Sequence, residues 1–265
     1  ERLKANGVHV LESPKGELAC GETGEGRMAE PEEILNALKN AKEVKNVCKN
    51  GKRVLITAGR TEELIDPVRY ISNRSSGKTA TAIASVFYEA GFDVTMVCGP
   101  MDVAAPGFSK VVNVRSAIEM HEAVLNQAKD YDVLVHCAAV ADYRPAEVAN
   151  EKIKDSRSQL HLDLIPNPNI LRDSVAQKRK GQVVVGFALE TEKPELHAKE
   201  KLEKSGADLL VLNMPVAKES GFGKDNVAFS LVEKGGAVPE LQMASKRDLA
   251  LGILRFTLLE LEKTK

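Results

Sequence analysis

Short apolar runs recur along the chain, and between them apolar residues return every three or four positions; this alternation sets in at residue 52. The runs at 54–57, 94–97, 111–114, 132–137, 183–187 and 209–212 have the length and aliphatic content of buried strands. The periodic segments at 78–90, 116–129, 167–178, 194–205 and 246–261 predict helices, with Ser116 placed to cap the second of them. Leu160, Leu162 and Leu164 alternate with His161 and Asp163, which predicts a half-exposed strand. Residues 227–232 and a strand near Val238, joined by a turn containing Gly235 and Gly236, read as a hairpin. Buried strands alternating with amphipathic helices predict a doubly wound α/β domain, its mainly parallel sheet covered on both faces.

Residues before 52 follow another pattern. A short strand is expected at 8–11. Residues 13–28 are glycine-rich and polar, include Cys20, and cannot build a core alone. A helix at 29–41 carries Glu30, Glu32 and Glu33 near its start and Lys39 near its end, the order its dipole favours. A basic linker follows at 42–52, so the expected division is a 1–50 segment and a 51–265 domain. The start at Glu1 rather than methionine suggests a fragment or a processed product.

Composition narrows the classes. The 265 residues are 43% hydrophobic and 28% charged, an ordinary globular balance. Lys and Arg number 37 against 38 acidic residues, so no bulk field recruits nucleic acid or an anionic membrane. Cys20, Cys48, Cys98 and Cys137 lack metal-ligand spacing, and reduced thiols in a cytoplasmic protein are the simplest account. No stretch has the length and apolarity of a membrane span.

Two loops carry candidate chemistry. Residues 51–78 run from a strand through a polar loop into a helix, the ligand position of an open parallel sheet. Asp66, Arg69, Asn73, Arg74, Ser75, Ser76 and Lys78 make that loop rich in donors, suited to a phosphate or carboxylate. Its GKT ending lacks the opening glycine of a P-loop, and a merely well-capped helix is the competing reading. After the 132–137 strand, Ala138, Ala139 and Ala141 leave room for a planar group and Asp142 can accept from hydroxyls or amines. A small-residue turn before a solvated basic run, with Lys152 and Lys154, is equally open.

The order of several motifs adds a resemblance. ITAGRTEELIDPVRYISNRSSGK, CAAVADYRP followed by EKIK, PNPNIL, VVGFALET, and AKEKLEK before LLVLN together resemble the phosphopantothenoylcysteine synthetase family. That family forms the carboxyl-terminal half of the bifunctional bacterial coenzyme A biosynthesis proteins. The resemblance implies a Rossmann-like fold with added hairpin or irregular dimerisation segments. It also implies ligation of 4'-phosphopantothenate to L-cysteine through an acyl-cytidylate, using CTP and Mg2+, in a cytoplasmic homodimer with a larger assembly possible for the whole protein. ACGETGEGRM resembles the substrate-covering flap of the decarboxylase half. Cys20 there matches a proton donor whose FMN-holding body is missing from this chain, so no decarboxylation is expected of the chain alone.

Carried over position by position, Asn73 matches the residue that turns over the acyl-cytidylate. Arg69 holds either the phosphopantothenate side or the loop, and Lys152 serves the first half-reaction. Ala138, Ala139 and Val140 form a backbone wall, and Asp142 takes the nucleoside. Pro168, Asn169, Ile170, Leu171 and Phe187 hold CTP. The family commonly has aspartate where Asn169 stands. It also places two triphosphate lysines four apart; Lys201 fits the first, while Ser205 occupies the second and Lys204 falls one residue earlier, about 100° around the helix. An NAD-dependent reductase is a competing class, but no GxGxxG follows the first strand. A non-catalytic nucleotide-binding or assembly module is the other.

Overall fold

The computed structural model describes residues 51–154, 159–189, 194–214 and 225–263, together with 10–11, 15–17, 23–25, 28–29, 31 and 34. The chain divides into two compact units, Glu1–Lys49 and Asn50–Lys265. In the first, β1 (Lys15–Glu17) pairs antiparallel with β2 (Thr23–Glu25) inside the glycine-rich, polar tract. Val10 and Leu11 lie outside any strand, and of the helix expected at 29–41 Ala29, Pro31 and Ile34 are described, the latter two helical and Ala29 not. Cys20 and Cys48 fall outside the described residues.

The second unit is built on an eight-stranded sheet. Its parallel strands are β3 (Arg53–Ala58), β6 (Asp93–Cys98), β7 (Lys110–Asn113), β8 (Val133–His136), β11 (Val183–Leu189) and β12 (Leu209–Met214). They lie side by side as β7-β6-β3-β8-β11-β12. Two antiparallel strands, β13 (Asn226–Glu233) and β14 (Gln242–Ser245), extend the β12 edge. The first strand in sequence therefore sits centrally, and the winding reverses between β3 and β8. In a doubly wound sheet, the crevice for a ligand opens at the carboxyl ends of that pair.

Helices α1 (Lys78–Glu89), α2 (Ala117–Leu125), α3 (Ile170–Ala176), α4 (Pro194–Ser205) and α5 (Lys246–Glu262) flank the sheet. Ala80, Ile83, Ala84, Val86 and Phe87 form the buried stripe of α1. Val54, Leu55 and Ile56 are buried on both faces of the sheet, as a doubly covered strand requires. Ser116 caps α2 by accepting from Glu119 N, and Ser245 forms a capping box with Asp248 at α5.

Several expected boundaries move for identifiable reasons. Helix α2 ends at Leu125 instead of 129, and a 3-10 turn, Ala128–Asp130, carries the chain to β8. Helix α3 starts at Ile170, later than expected, because Asn169 accepts from Arg172 N and is itself the cap. The strand expected at 160–164 is β10 (Leu164–Pro166), paired with β9 (Tyr143–Pro145). This ladder has a proline at each end, where an N–H is lost. Likewise β13 pairs with 242–245 and not with a strand near Val238, since Pro239 has no N–H to offer a ladder; its carbonyl instead accepts from Ser230 Oγ at 2.8 Å.

The polar loop after β3 also contains a hairpin, β4 (Glu62–Leu64) with β5 (Tyr70–Ser72). Glu62 and Glu63 are buried: Glu63 accepts from Ala117 N at 2.9 Å and Glu62 from Arg115 Nε at 3.1 Å. Both carboxylates thus brace the amino end of α2, where negative charge is favourable.

The turn leaving β3 depends on missing side chains. Gly59 has φ 78°, and a Cβ on it would lie 2.6 Å from Pro100 O; a Cβ on Gly99 would lie 1.9 Å from Arg60 O. Gly59→Ala is therefore expected to destabilise the domain by about 1–3 kcal/mol, seen as a lower denaturant midpoint.

Candidate functional site

The site begins where the ends of β3 and β8 are joined. Ala139 N donates to Gly59 O at 2.9 Å, and Thr61 N to Ala139 O at 3.4 Å, so the parallel ladder continues past both strands. Two threonine hydroxyls tighten the junction: Ala138 N donates to Thr57 Oγ1 at 3.1 Å and Ala141 N to Thr61 Oγ1 at 3.0 Å. Asn73 Nδ2 donates to Val140 O at 2.9 Å. The loop after β8 is thereby a fixed blade of backbone edged with small side chains.

Cavities open on both sides of this blade. The first, of about 510 Å³, runs under the amino end of α1 and is walled by Asn73 to Ala80, with Asn213, Val227 and Lys246 on its far side. The second, of about 580 Å³, runs under the amino end of α3, from Asn167 to Arg172, to His197, Glu200, Lys201, Lys204 and Ser205 on α4. Ala138, Val140, Asp142, Phe187 and Lys201 border both.

Most residues singled out in the sequence converge here. Asn73 and Ala139 line the first cavity; Pro168, Asn169, Ile170, Leu171, Lys204 and Ser205 line the second; Ala138, Val140, Asp142, Phe187 and Lys201 serve both. Asn169 performs the capping role an aspartate would perform, with one negative charge fewer. Lys204 pairs with Glu200 at 2.9 Å, and Ser205 Oγ donates to Leu202 O, closing the end of α4.

Arg69 and Lys152 line neither cavity. Arg69 pairs with Asp66 and donates to Ile153 O at 2.6 Å, while Ile153 N donates to Asp66 Oδ2 at 3.1 Å. These bonds tie the turn at Asp66–Arg69 to the segment at Ile153. Lys152, one residue from this anchor, is exposed.

Some site residues gave no usable sequence signal. Lys246 reads as the start of a helix, yet only 9% of it is exposed. A cation at the first position of a helix opposes the dipole, and that is the one clue the sequence offers. His136, at the floor of the second cavity, has Nε2 2.9 Å from Ser174 Oγ, while its buried Nδ1 has no hydrogen-bond partner among the described residues. Burial pushes its pKa down to about 4, so the floor is uncharged at neutral pH. Burial pushes the Cys137 thiol up to about 12 despite the opposing charge of Lys246, so this cysteine in the wall of the first cavity is no thiolate nucleophile.

Known proteins resemble this chain in sequence and fold. The family model described as DNA/pantothenate metabolism flavoprotein C-terminal domain matches residues 49–259. The chain belongs to this family. It is 41% identical over 262 residues to the Coenzyme A biosynthesis bifunctional protein CoaBC of Haemophilus influenzae, covering 99% of this chain and 65% of that protein. It is 38% identical over 257 residues to a Cysteine/Cysteine sulfinic acid decarboxylase from an unknown prokaryotic organism, covering 96% of this chain and 72% of that protein. The chain thus spans about two thirds of the length of these relatives. The solved C-terminal domain of a CoaBC protein aligns with a TM-score of 0.67 at 38% identity, covering 81% of this chain and 99% of that one.

In a domain of this family, the support next to Lys152 is also sensitive to acid. The Asp66 side chain is fully enclosed. Enclosure alone would disfavour its charge, but hydrogen bonds from the Arg69 guanidinium and the N–H groups of Val68, Ile153 and Arg69 hold its carboxyl well below the usual carboxylate range. A depressed folded-state pKa contributes stability that is present above the unfolded value of about 3.9 and is lost as pH falls through the folded one. Asp66→Asn should accordingly lower the denaturation midpoint at pH 7, and its deficit relative to the parent should shrink as pH drops below about 4.

Proposed function

We propose that this domain is a phosphopantothenate–cysteine ligase of coenzyme A biosynthesis, coupling 4'-phosphopantothenate to L-cysteine with release of pyrophosphate and CMP. The observation that carries the reading is the pair of cavities meeting at one blade of backbone, on a fold and sequence akin to the CoaBC proteins. A two-substrate activation needs the acid and the nucleotide to approach one another from separate compartments.

CTP occupies the second cavity. Pro168 to Leu171 and Phe187 border its base and sugar, Asp142 accepts from the nucleoside, and Lys201 and Lys204 face the phosphates. Among the described residues, no group of three or more histidine, cysteine or acidic side chains is gathered to hold a metal ion. Mg2+ accordingly accompanies the nucleotide as counter-ion to its phosphates. The acid lies in the first cavity with its carboxylate at the blade. A carboxylate oxygen attacks the α-phosphorus and pyrophosphate leaves; the cysteine amine then attacks the acyl carbon, loses a proton, and expels CMP. Lysine charge offsets the repulsion between carboxylate and triphosphate. Asn73, fixed on Val140 O, orients the activated carbonyl.

Lys152 completes the site of a second subunit in a cytoplasmic homodimer. Its exposure outside both cavities supports this, as do the exposed apolar side chains that flank it in sequence: Tyr143, Val148, Leu160 and Leu164 are each about half exposed. No helix among the described residues is long and apolar enough to cross a membrane. Residues 1–50 are the tail of a decarboxylase domain in this reading, with Cys20 as its proton donor and FMN outside this chain.

Pyrophosphate release beyond a single turnover should require both 4'-phosphopantothenate and cysteine and be faster with CTP than with ATP; absence of product with either nucleotide refutes the ligase. Asn73→Ala should accumulate the acyl-cytidylate in mass spectra, whereas Lys152→Ala should prevent its formation. Refolding the two variants together should restore about a quarter of the parental rate, since half the dimers are mixed and each has one intact site. No recovery would place Lys152 in its own subunit's site.

A further inference from the structure

The first cavity is bordered on one side by the backbone blade and on the other by residues 73–77, the loop that runs from β5 into α1. That loop belongs to no helix or strand, and a wall made of such a segment keeps its shape only if something outside the segment holds it. Its first residue is tied to the blade by the Asn73 bond to Val140 O at 2.9 Å. Its middle is reached by Arg60.

Arg60 is mounted on firmly held backbone. Its main chain forms a parallel bridge with Ala139 of the blade, and on its other side Arg60 N donates to Pro100 O at 3.1 Å. The missing side chain of Gly99 lets the Arg60 carbonyl settle there. From this base the guanidinium turns to the loop: Arg60 Nη1 donates to Ser75 O at 2.8 Å and to Asp102 Oδ1 at 2.9 Å. Asp102 N donates in turn to Ser76 O at 3.1 Å, and Gly77 lies so close to Met101 that a Cβ on it would come within 2.5 Å of Sδ. The Arg60 side chain is only 23% exposed, so its bond to Ser75 O is charge-assisted and largely shielded from water. Asp102 is 62% exposed and adds little through its charge; its part is to keep the guanidinium in register with Ser75 O.

We propose that Arg60 is a positioning residue that sets the width of the first cavity, since its main chain is bonded to one wall and its side chain holds the other. The inference rests on the ligase reading and deepens it. Arg60 lines neither cavity and acts through Ser75 and Ser76, which border the first alone. Its loss is therefore felt by the acid substrate and not by the nucleotide across the blade.

The test is steady-state kinetics of the full chain, varying 4'-phosphopantothenate and CTP separately, for the parent, Arg60→Met, Arg60→Lys and Asp102→Asn. In Arg60→Met, kcat/KM for the acid should fall by about 10- to 100-fold, a loss that a displacement of about 1 Å suffices to cause, while KM for CTP stays within about twofold. Arg60→Lys should recover part of the loss, because an ammonium replaces one arm of the fork. An unchanged kcat/KM for the acid overturns the proposal, and so does an equal loss for acid and nucleotide, the mark of a general loosening of the fold. Trypsin supplies a readout that needs no catalysis. Arg74 is exposed in the loop, and cleavage of the Arg74–Ser75 bond in the unliganded chain, followed by mass spectrometry, should be about tenfold faster in Arg60→Met. Unchanged cleavage overturns the proposal. If Arg60→Met fails to fold, Asp102→Asn decides by the same two measurements, with changes of about threefold in the same directions. If the parent makes no product, the ligase reading fails separately, and the trypsin rates still judge Arg60.

Discussion

Everything at the site hangs on the main-chain bonds that carry the β3–β8 ladder beyond the sheet, from Ala139 N to Gly59 O and from Thr61 N to Ala139 O. They are possible only because Gly59 takes a left-handed conformation and Gly99 leaves room for the Arg60 carbonyl. A loop at a sheet's carboxyl end is ordinarily its most mobile part. Here two extra backbone bonds and the hydroxyls of Thr57 and Thr61 make it an extension of the most rigid part of the molecule.

A second principle is the use of acids as braces. Glu62, Glu63 and Asp66 form a cluster that, in a sequence, suggests a metal or a general acid. In the folded chain each is buried and occupied: Glu62 by Arg115, Glu63 by Ala117 N, and Asp66 by Arg69 and three backbone N–H groups. Their negative charge is spent on fixing the amino end of α2 and the segment that carries Lys152, and none of the three lines either cavity.

The parallel strands and the five helices were legible because aliphatic runs and helical periodicity report burial directly. The bend points were harder. The strand pattern at 160–164 is real alternation, but a strand exists only where a partner supplies hydrogen bonds, and Pro145 ends that supply. The partner of β13 was misplaced because Val238 is apolar enough for a strand while Pro239 cannot pair. At the site, Asn73, Asp142, Phe187 and Lys201 fall in ordered motifs and line the cavities. Lys246, separated from them by the length of the sheet in sequence, is brought to the same cavity by the packing of α5 against α1, and no local spacing encodes that. Asn169 shows the converse, since a departure from the family pattern in sequence proves to preserve a helix cap in space.

The blade between the cavities has a consequence for anything that comes to span it. Ala138 and Val140 are short, so a molecule assembled across them is gripped from two sides by groups on different elements. To leave, it must release both grips within one opening event, because an end that lets go alone is held near its site by the other and rebinds. In the proposed ligase the partition would work as a kinetic trap: each reactant comes and goes through its own mouth, while their conjugate is retained until the bond joining its halves is cut.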